Sequence, residues 1–478
     1  MKKQDSVICP FCCHRFHPND ADFRLGPAMQ LTKKAQKPAA TVLDEKLYNY
    51  YIEILEATPS IAKANAMQHR YASLDSEGIT YNNSDIEAAG FAKSIQYAGE
   101  QGKLEVSDLR LCPSCHNNLP IGYGLRDTLL ISILGDARSG KSVFLTMLIA
   151  ELENNADFVS KLTFIGDKQV RDNFYETYQK PLLKEHTLIS STKRKKIPPY
   201  AFNYWYQYKD ETGNFKENSI DVIFYDIAGE DLRDDVGIRQ HGFNIKDSSG
   251  LIFLIDPTNF ARMADIFRFS DSALIDAIPD ENSTQNIFAT LYNYFIGLTH
   301  EKCQIPLALT ISKADLFKYV NFNFFSNKPE NRLQNISKGD AHNGALNMPN
   351  IKGINQEVRE LISYLGEDGI LNNAMGCFKN ISCFAISSLG KKPIVEKISD
   401  PKTNETVEKG IVDGNLEPFR VKEQFYWILM RNKLMYKYEN GRYSLHGESD
   451  TVQQQHSAGF GKRILSIFNK FFASFKKR

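Results

Sequence analysis

The sequence predicts an α/β protein: a mostly parallel sheet with helices on both faces, preceded by a cysteine-bearing module with an α-helical insertion. Three observations predict it. An apolar run, Leu129–Leu134, ends in Gly135-Asp136-Ala137-Arg138-Ser139-Gly140-Lys141-Ser142 and passes into a helix-forming run that continues to about Asn154. Further apolar, β-rich runs at Ile220–Asp226, Gly250–Pro257, Ile305–Ile311 and Asn380–Ile386 alternate with helical ones, the pattern of parallel strands joined by crossover helices. Two C-x-x-C pairs, Cys9–Cys12 and Cys112–Cys115, bracket the region before the first of these strands.

The chain has 478 residues, a net charge of +1 and eight cysteines. That length suits two or three domains. The expected division is a cysteine module over 1–126, an α/β domain over 127–433, and a linker with a terminal helix over 434–478. A charge so near zero gives no global field for nucleic acid or membrane. No secretory apolar region and no run long enough to span a bilayer is visible. The expectation is a cytoplasmic protein with reduced thiols, in which paired cysteines ligate metal rather than form disulfides.

In the first region each C-x-x-C carries Pro after its first Cys. That spacing lets two thiolates converge on one ion while the backbone turns over them. Two such pairs make a closed tetrahedral site, so Cys9, Cys12, Cys112 and Cys115 are expected to hold a structural Zn²⁺. Cys13, His14 and His116 stand beside the pairs as alternative ligands. The gap of about 100 residues reads as an insertion into a zinc ribbon, with helices expected at Leu43–Ala57, Ser60–Tyr71 and around Ser84–Ile95. No basic stripe interleaved with aromatics points to nucleic acid.

The strand–loop–helix around Gly135–Ser142 is the P-loop pattern in its expected context. Gly135 and Gly140 let the backbone turn tightly, so the N–H groups of Asp136, Ala137, Arg138, Ser139 and their neighbours through Val143 can face phosphate oxygens. The helix adds its positive end. Lys141 brings a charge to the β- and γ-phosphates and Ser142 a hydroxyl to Mg²⁺.

A short strand at Lys161–Ile165 and a helix at Val170–Leu183 follow. A polar, Pro-closed loop then holds Thr192, the chosen Mg²⁺-contacting hydroxyl, with Thr187, Ser190 and Ser191 as competitors. Strands Tyr200–Tyr208 and Ile220–Asp226 come next, joined by a hairpin turn over Asp210–Asn218. A carboxylate at the end of a buried strand is costly unless paired. Asp226 is expected to face Mg²⁺, and the backbone of Gly229, three residues on, the γ-phosphate. Helices are expected at Phe260–Arg268 and Gln285–Leu298. The strand Ile305–Ile311 runs into Ser312-Lys313-Ala314-Asp315, where Asp315 can accept from both N1–H and the 2-amino group of guanine. The Lys313 stem can lie over the base. The turn Ser387-Ser388-Leu389 after the last strand can offer an N–H to the guanine O6.

These elements, in this order, resemble the Ras-like GTPases over roughly Asp127–Arg431. The run Cys112-Pro-Ser-Cys115-His116-x-x-Leu119-Pro120, with the Ser-Leu-Gly turn, long loop and aromatic helix after it, more narrowly resembles a bacterial double-GTPase family linked to conflict and defence operons. The resemblance implies a cytosolic GTP/GDP switch that acts with protein effectors. Glu230 stands where Ras-like GTPases carry a Gln that orients the attacking water, which implies a slow switch or a Glu acting as base. Arg138 makes the loop similar to that of guanylate-binding proteins, where such an Arg is an internal finger set by dimerisation, implying a homodimer. Lys141, Arg138, Glu230 and Thr192 are thus the catalytic candidates.

Asn321–Asn350 and Gly390–Glu417 read as long loops at the base-binding end, suited to an effector surface. Tyr436–Ser457 reads as linker. Phe460–Arg478 places Phe460, Ile464, Leu465, Phe468, Phe471, Phe472 and Phe475 on one helical face with Lys and Arg over much of the rest, a pattern for a membrane surface, a partner groove or packing on the protein's own core. The rival readings are a GTP-binding scaffold without hydrolysis and an ATP-using P-loop enzyme.

Overall fold

The computed structural model describes residues 6–25, 41–55, 57–81, 91–98, 104–120, 122–136, 139–165, 168–189, 199–227, 245–260, 262–263, 283–296, 301–318, 341–399 and 406–445. Ala137, Arg138, Thr192, Gly229, Glu230, Ser190, Ser191 and the terminal stretch Phe460–Arg478 lie outside them.

The central element is a seven-stranded sheet. Its strands in chain order are β1 (Thr128–Gly135), β2 (Ser160–Ile165), β3 (Tyr200–Lys209), β4 (Phe215–Asp226), β5 (Gly250–Ile255), β6 (Leu307–Ile311) and β7 (Ile381–Ala385). The spatial order is β2-β3-β4-β1-β5-β6-β7. β4, β1, β5, β6 and β7 pair in parallel, and β3 runs antiparallel to both β4 and β2. All eight residues of β1 are buried, as expected of a central strand covered on both faces. The helices are α1 (Lys141–Glu153), α2 (Lys168–Phe174), α3 (Ser283–Ile296), α4 (Met348–Tyr364), α5 (Asp368–Cys377) and α6 (Glu423–Arg431).

Strand alternation sends neighbouring side chains to opposite faces. On one face Leu129, Ile131 and Ile133 meet Phe144 and Leu148 of α1, the ring ladder Tyr200, Phe202, Tyr204 and Tyr206 of β3, and Phe425 and Ile428 of α6. On the other, Leu251, Phe253, Leu307 and Leu309 pack under α3, α4 and α5. The β1–β3–β4 part of that second face is covered differently. Leu130, Ala201 and Ile223 bury against Ile8 and Cys13 of the cysteine module. Tyr123 ties this contact by donating its hydroxyl to the Ile8 carbonyl at 2.5 Å.

Several expectations shift. The hairpin turn closes over Asp210–Asn214, because β4 begins at Phe215 rather than Ile220. α2 passes at Tyr175 into a wider helical turn that reaches Lys184 with Pro181 inside it. Within Asn321–Asn350 a short hairpin, Ala341–His342 with Ala345–Asn347, leads into α4. Gly390–Glu417 carries a hairpin, β8 (Ile394–Ser399) with β9 (Thr406–Ile411), so neither stretch is plain loop. The start of the expected linker forms strands Lys437–Glu439 and Arg442–Ser444, the first pairing with Leu346–Asn347. In the cysteine module the helices are shorter than expected, Glu45–Asn49 running into Tyr50–Ile54, then Pro59–Ala66. Of the stretch read as a third helix, residues 84–90 lie outside the described residues, and its last residue opens a strand, Ile95–Ala98, paired with Leu104–Ser107.

Candidate functional site

Parallel pairing brings the strand ends to one edge. Ile133 aligns with Asp226, Gly135 with Leu254, Ile255 with Ile311, and Ile311 with Ala385. The loops after β1, β4, β5, β6 and β7 therefore emerge side by side. At about 4.8 Å per strand, the loop after β1 stands on the order of 10 Å from the loop after β6.

After β1 the backbone turns at Gly135 with φ +146° and at Gly140 with φ +84°. A Cβ on Gly135 would lie 2.3 Å from the Leu254 carbonyl oxygen, so no other residue fits there. Lys141 reaches back and donates to the Gly135 and Asp136 carbonyls at 2.9 and 2.8 Å. Its ammonium is thus held over the loop. Asp136 is buried and accepts from the hydroxyl of Thr284 on α3. Ser139 is buried with its hydroxyl unsatisfied. Ser142 donates to Asp226 Oδ2 at 3.1 Å, while Asp226 Oδ1 is buried without a hydrogen-bond partner. Desolvation pushes the Asp226 carboxyl up, against the pull of Lys141 and Ser142. A half-satisfied carboxylate beside a hydroxyl, with a cation on one side, is a donor set that suits a hard divalent ion. Val143 lies in the first turn of the helix behind the loop.

The base-reading candidates also converge. Asp315 is buried and accepts from the Ser387 hydroxyl at 2.5 Å. That same hydroxyl accepts from the Gly390 N–H at 2.8 Å, which closes the Ser387-Ser388-Leu389 turn. Ser387 is anchored in turn by antiparallel pairing with Phe419. Ser312 donates its N–H to the Ile255 carbonyl at 2.8 Å and its hydroxyl to the same oxygen at 3.0 Å. Lys313 sits at φ +52°. The loops after β6 and β7 are therefore locked to each other, with one oxygen of Asp315 fixed.

Two participants were not anticipated. Thr284 lies far downstream in sequence, and no local signal marks it. Asp256, at the end of β5, receives the Lys313 ammonium. Its signal was present: like Asp226, it is an acid closing a buried strand. Thr187, a competitor for the Mg²⁺ hydroxyl, donates that hydroxyl to the Pro181 carbonyl at 3.2 Å.

The second site is the cysteine cluster. Cys9, Cys12, Cys112 and Cys115 are buried, with their sulfur atoms within 4.8 Å of one another. Cys9 to Cys115 and Cys12 to Cys112 are each 3.7 Å. A tetrahedron with metal–sulfur bonds of about 2.3 Å has edges of about 3.8 Å, so the set fits Zn²⁺ and the module fits a zinc ribbon. Phe11 and Ser114 N–H groups, each at 3.4 Å, and the Asn117 amide at 3.3 Å donate to three of the sulfurs, which favours thiolates. Burial pushes Cys9 and Cys115 well up, whereas hydrogen bonds from the other thiols pull Cys112 down.

None of the alternative ligands joins the cluster. His116 has both ring nitrogens occupied, Nδ1 by Asp44 at 2.9 Å and Nε2 by Asp22 at 2.9 Å. Burial lowers its basicity, but these two carboxylates outweigh it and raise its pKa. His14 is exposed and Cys13 packs on the sheet.

A glycine-turned loop before a helix, an acid at the adjacent strand end and a locked acid two strands away define a P-loop nucleotide-binding α/β domain. Residues 129–361 match the family model described as Double-GTPase 2, a match that supports the double-GTPase family for that segment. That family implies a guanine nucleotide. A relative in Mycolicibacterium smegmatis, the putative ESX-1 scaffolding and assembly protein SaeC, is 22% identical over 348 residues, covering 68% of this chain and 80% of that protein. Among solved structures the chain is similar to one from an oligomerised bacterial dynamin pair that senses and tethers membranes. That match has 12% identity, covers 55% of this chain and 34% of the other, and has a TM-score of 0.18, too slight a likeness to carry an argument. Among the described residues no helix is long and apolar enough to cross a membrane.

Proposed function

We propose that the chain binds GTP with Mg²⁺, hydrolyses it, and acts as a nucleotide-dependent switch. The observation that carries this reading is the alignment of two acids on one sheet edge: Asp226 beside Ser142, and Asp315 locked by Ser387 two strands from the P-loop. In this reading the backbone from Gly135 to Val143 cradles the phosphates and Lys141 leaves its loop carbonyls for phosphate oxygens. Ser142, Asp226 and Thr192 hold Mg²⁺, and Gly229 meets the γ-phosphate. Bound Mg²⁺ supplies neutralisation of charge on the transferred phosphoryl group. Arg138 stabilises the same charge, and Glu230 orients or deprotonates water. Ser312, Lys313, Asp315 and the turn Ser387-Ser388-Leu389 hold guanine. Cys9, Cys12, Cys112 and Cys115 hold a structural Zn²⁺.

The reading extends to a cytosolic switch in a bacterial conflict or defence system, with a homodimer, protein effectors and membrane-surface contact through Phe460–Arg478 as its partners. It keeps the division into 1–126, 127–433 and 434–478. A second reading, a GTP-binding scaffold without hydrolysis, is favoured by Glu230 in place of Gln and by a relative named for scaffolding. Single-turnover GTP hydrolysis separates the two: phosphate release supports the switch, and stable bound GTP supports the scaffold.

Base preference is tested by competing ATP against labelled GTP. GTP should win, and Asp315→Asn should weaken GTP by about 1–3 kcal/mol, the worth of one bidentate base contact. Equal competition by ATP would leave a generic nucleotide binder.

A further inference from the structure

Asp256 has no role in the proposal above, yet its environment is built. It ends β5, the strand lying between the P-loop strand β1 and the strand β6 that carries Lys313. Only 2% of the residue is exposed. Its two oxygens are divided between two tasks. Oδ1 accepts the Thr258 N–H at 3.0 Å and the Thr258 hydroxyl at 2.7 Å, which fixes the carboxylate on its own turn. Oδ2 accepts the Lys313 ammonium.

Lys313 is 39% exposed, and its backbone takes a left-handed conformation that costs a residue with a Cβ free energy. The chain is held there by Ser312 on Ile255 and by the Ala314 N–H on the Ile386 carbonyl at 2.8 Å. A long flexible lysine left to solvent would sample many rotamers. Here its head is drawn sideways, from the end of β6 to the end of β5, so its stem crosses from the loop of Asp315 toward the phosphate loop. That is the strip a base and ribose occupy when the phosphates lie at Gly135–Ser142 and the base at Asp315.

We propose that Asp256 is a positioning residue for the nucleotide: it pins the Lys313 stem flat, as a preformed floor for the base. The inference rests on the nucleotide reading and deepens it. Pinning before binding removes the rotamer freedom that Lys313 would otherwise lose on contact, so it strengthens binding without touching the ligand. The floor is apolar methylene and does not discriminate among bases, whereas Asp315 does. Loss of Asp256 should therefore weaken guanine and adenine nucleotides alike.

The test is binding of N-methylanthraniloyl GTP and ATP, with Mg²⁺, to the full chain, Asp256→Asn, Lys313→Met and the double variant, alongside thermal melting. Asn keeps an acceptor for Thr258 but removes the charge that holds Lys313. Asp256→Asn should weaken GTP about tenfold, the scale of one charged hydrogen bond, with its melting temperature close to that of the parent. Weak ATP binding should fall by a similar factor. The double variant should be no weaker than Lys313→Met alone, which a role confined to capping the turn would not produce. Two results overturn the inference: Asp256→Asn binding GTP as the parent does, or losses that simply add in the double variant. If the parent itself fails to bind GTP, the nucleotide reading falls and this inference with it. Should Asp256→Asn not fold, the pair is read from the exposed end: Lys313→Arg should retain GTP binding within about threefold and Lys313→Gln lose about tenfold. Equal binding by both would overturn the inference.

Discussion

Asp226 holds two requirements in opposition. It is a carboxylate drawn out of water, with one oxygen on Ser142 and the other without a hydrogen bond. Desolvation raises its pKa. For an acid the sign is direct: a raised folded pKa means that ionisation costs stability, increasingly as pH rises through that value. Asp226→Asn is isosteric and removes the cost. The variant should melt at a higher temperature than the parent without Mg²⁺ and nucleotide, by about 1–3 °C, and should lose Mg²⁺-dependent GTP binding. Calorimetry with and without Mg·GTP checks both halves; a lower melting temperature in the metal-free variant would show that the carboxylate is already well satisfied. In the parent, Mg²⁺-dependent binding should weaken as pH falls toward the raised pKa, because a protonated carboxyl is a poor ligand. Asp226 was legible because an acid closing an apolar strand needs a reason, and Asp315 because the run Ser312-Lys313-Ala314-Asp315 follows such a strand. Asp256 carries the same signal, but its partner, Lys313, becomes visible only when β5 and β6 are side by side.

At the level of elements, the hairpin β8–β9 is more than an excursion from the base-end turn. The Leu188 N–H donates to the Gly410 carbonyl at 2.7 Å and the Val412 N–H to the His186 carbonyl at 2.8 Å. Thr187 and Ile411 form the bridge between them. The hairpin thus grips the segment His186–Leu188 and joins it by backbone to the chain that follows β7. The grip needs a bare Cα: a Cβ on Gly410 would lie 2.5 Å from Leu188 Cδ1. Gly410→Val should displace Leu188 at a cost of about 1–3 kcal/mol and speed hydrogen exchange at the Leu188 and Val412 amides by about tenfold or more. Unchanged protection at both amides would mean that the hairpin and the segment are held independently. Sequence periodicity could not find this contact. Each strand is short, and the pairing is between segments more than 200 residues apart, so local pattern carries no trace of it.

For the whole molecule, the consequential arrangement is the place of the zinc-ribbon module. Ile8 and Cys13, each next to an expected metal ligand, fill the sheet face over Leu130 of β1 and Ile223 of β4. Those two strands deliver Gly135 and Asp226 to the site. Arg15 adds a bond to the Asp247 carbonyl at 2.9 Å, just ahead of β5. The ribbon therefore covers a sheet face that a helix would otherwise cover, and its loss would expose that face to water. Removing metal with a strong chelator, followed by metal analysis and melting, should lower the melting temperature of the nucleotide domain by about 5 °C or more and weaken GTP binding together with it. A nucleotide domain that melts and binds unchanged after complete metal loss would show the two parts to be independent. The expected boundary at residue 126 is thus a boundary in sequence pattern, with a shared core across it.

By itself the sequence determined the strand and helix types of the central sheet, the glycine-turned loop, the four-cysteine set and the two acids at strand ends. These follow from local physics: alternation and apolar runs, backbone freedom at glycine, ligand spacing, and the cost of burying a charge. Only the tertiary structure decided that Lys313 is held by Asp256, that Asp136 is held by Thr284, that His116 serves two carboxylates rather than a metal, and that the ribbon roofs the strands of the site. Each of these depends on which segments meet. That is set by the packing of surfaces distant along the chain, a quantity that no window of neighbouring residues contains.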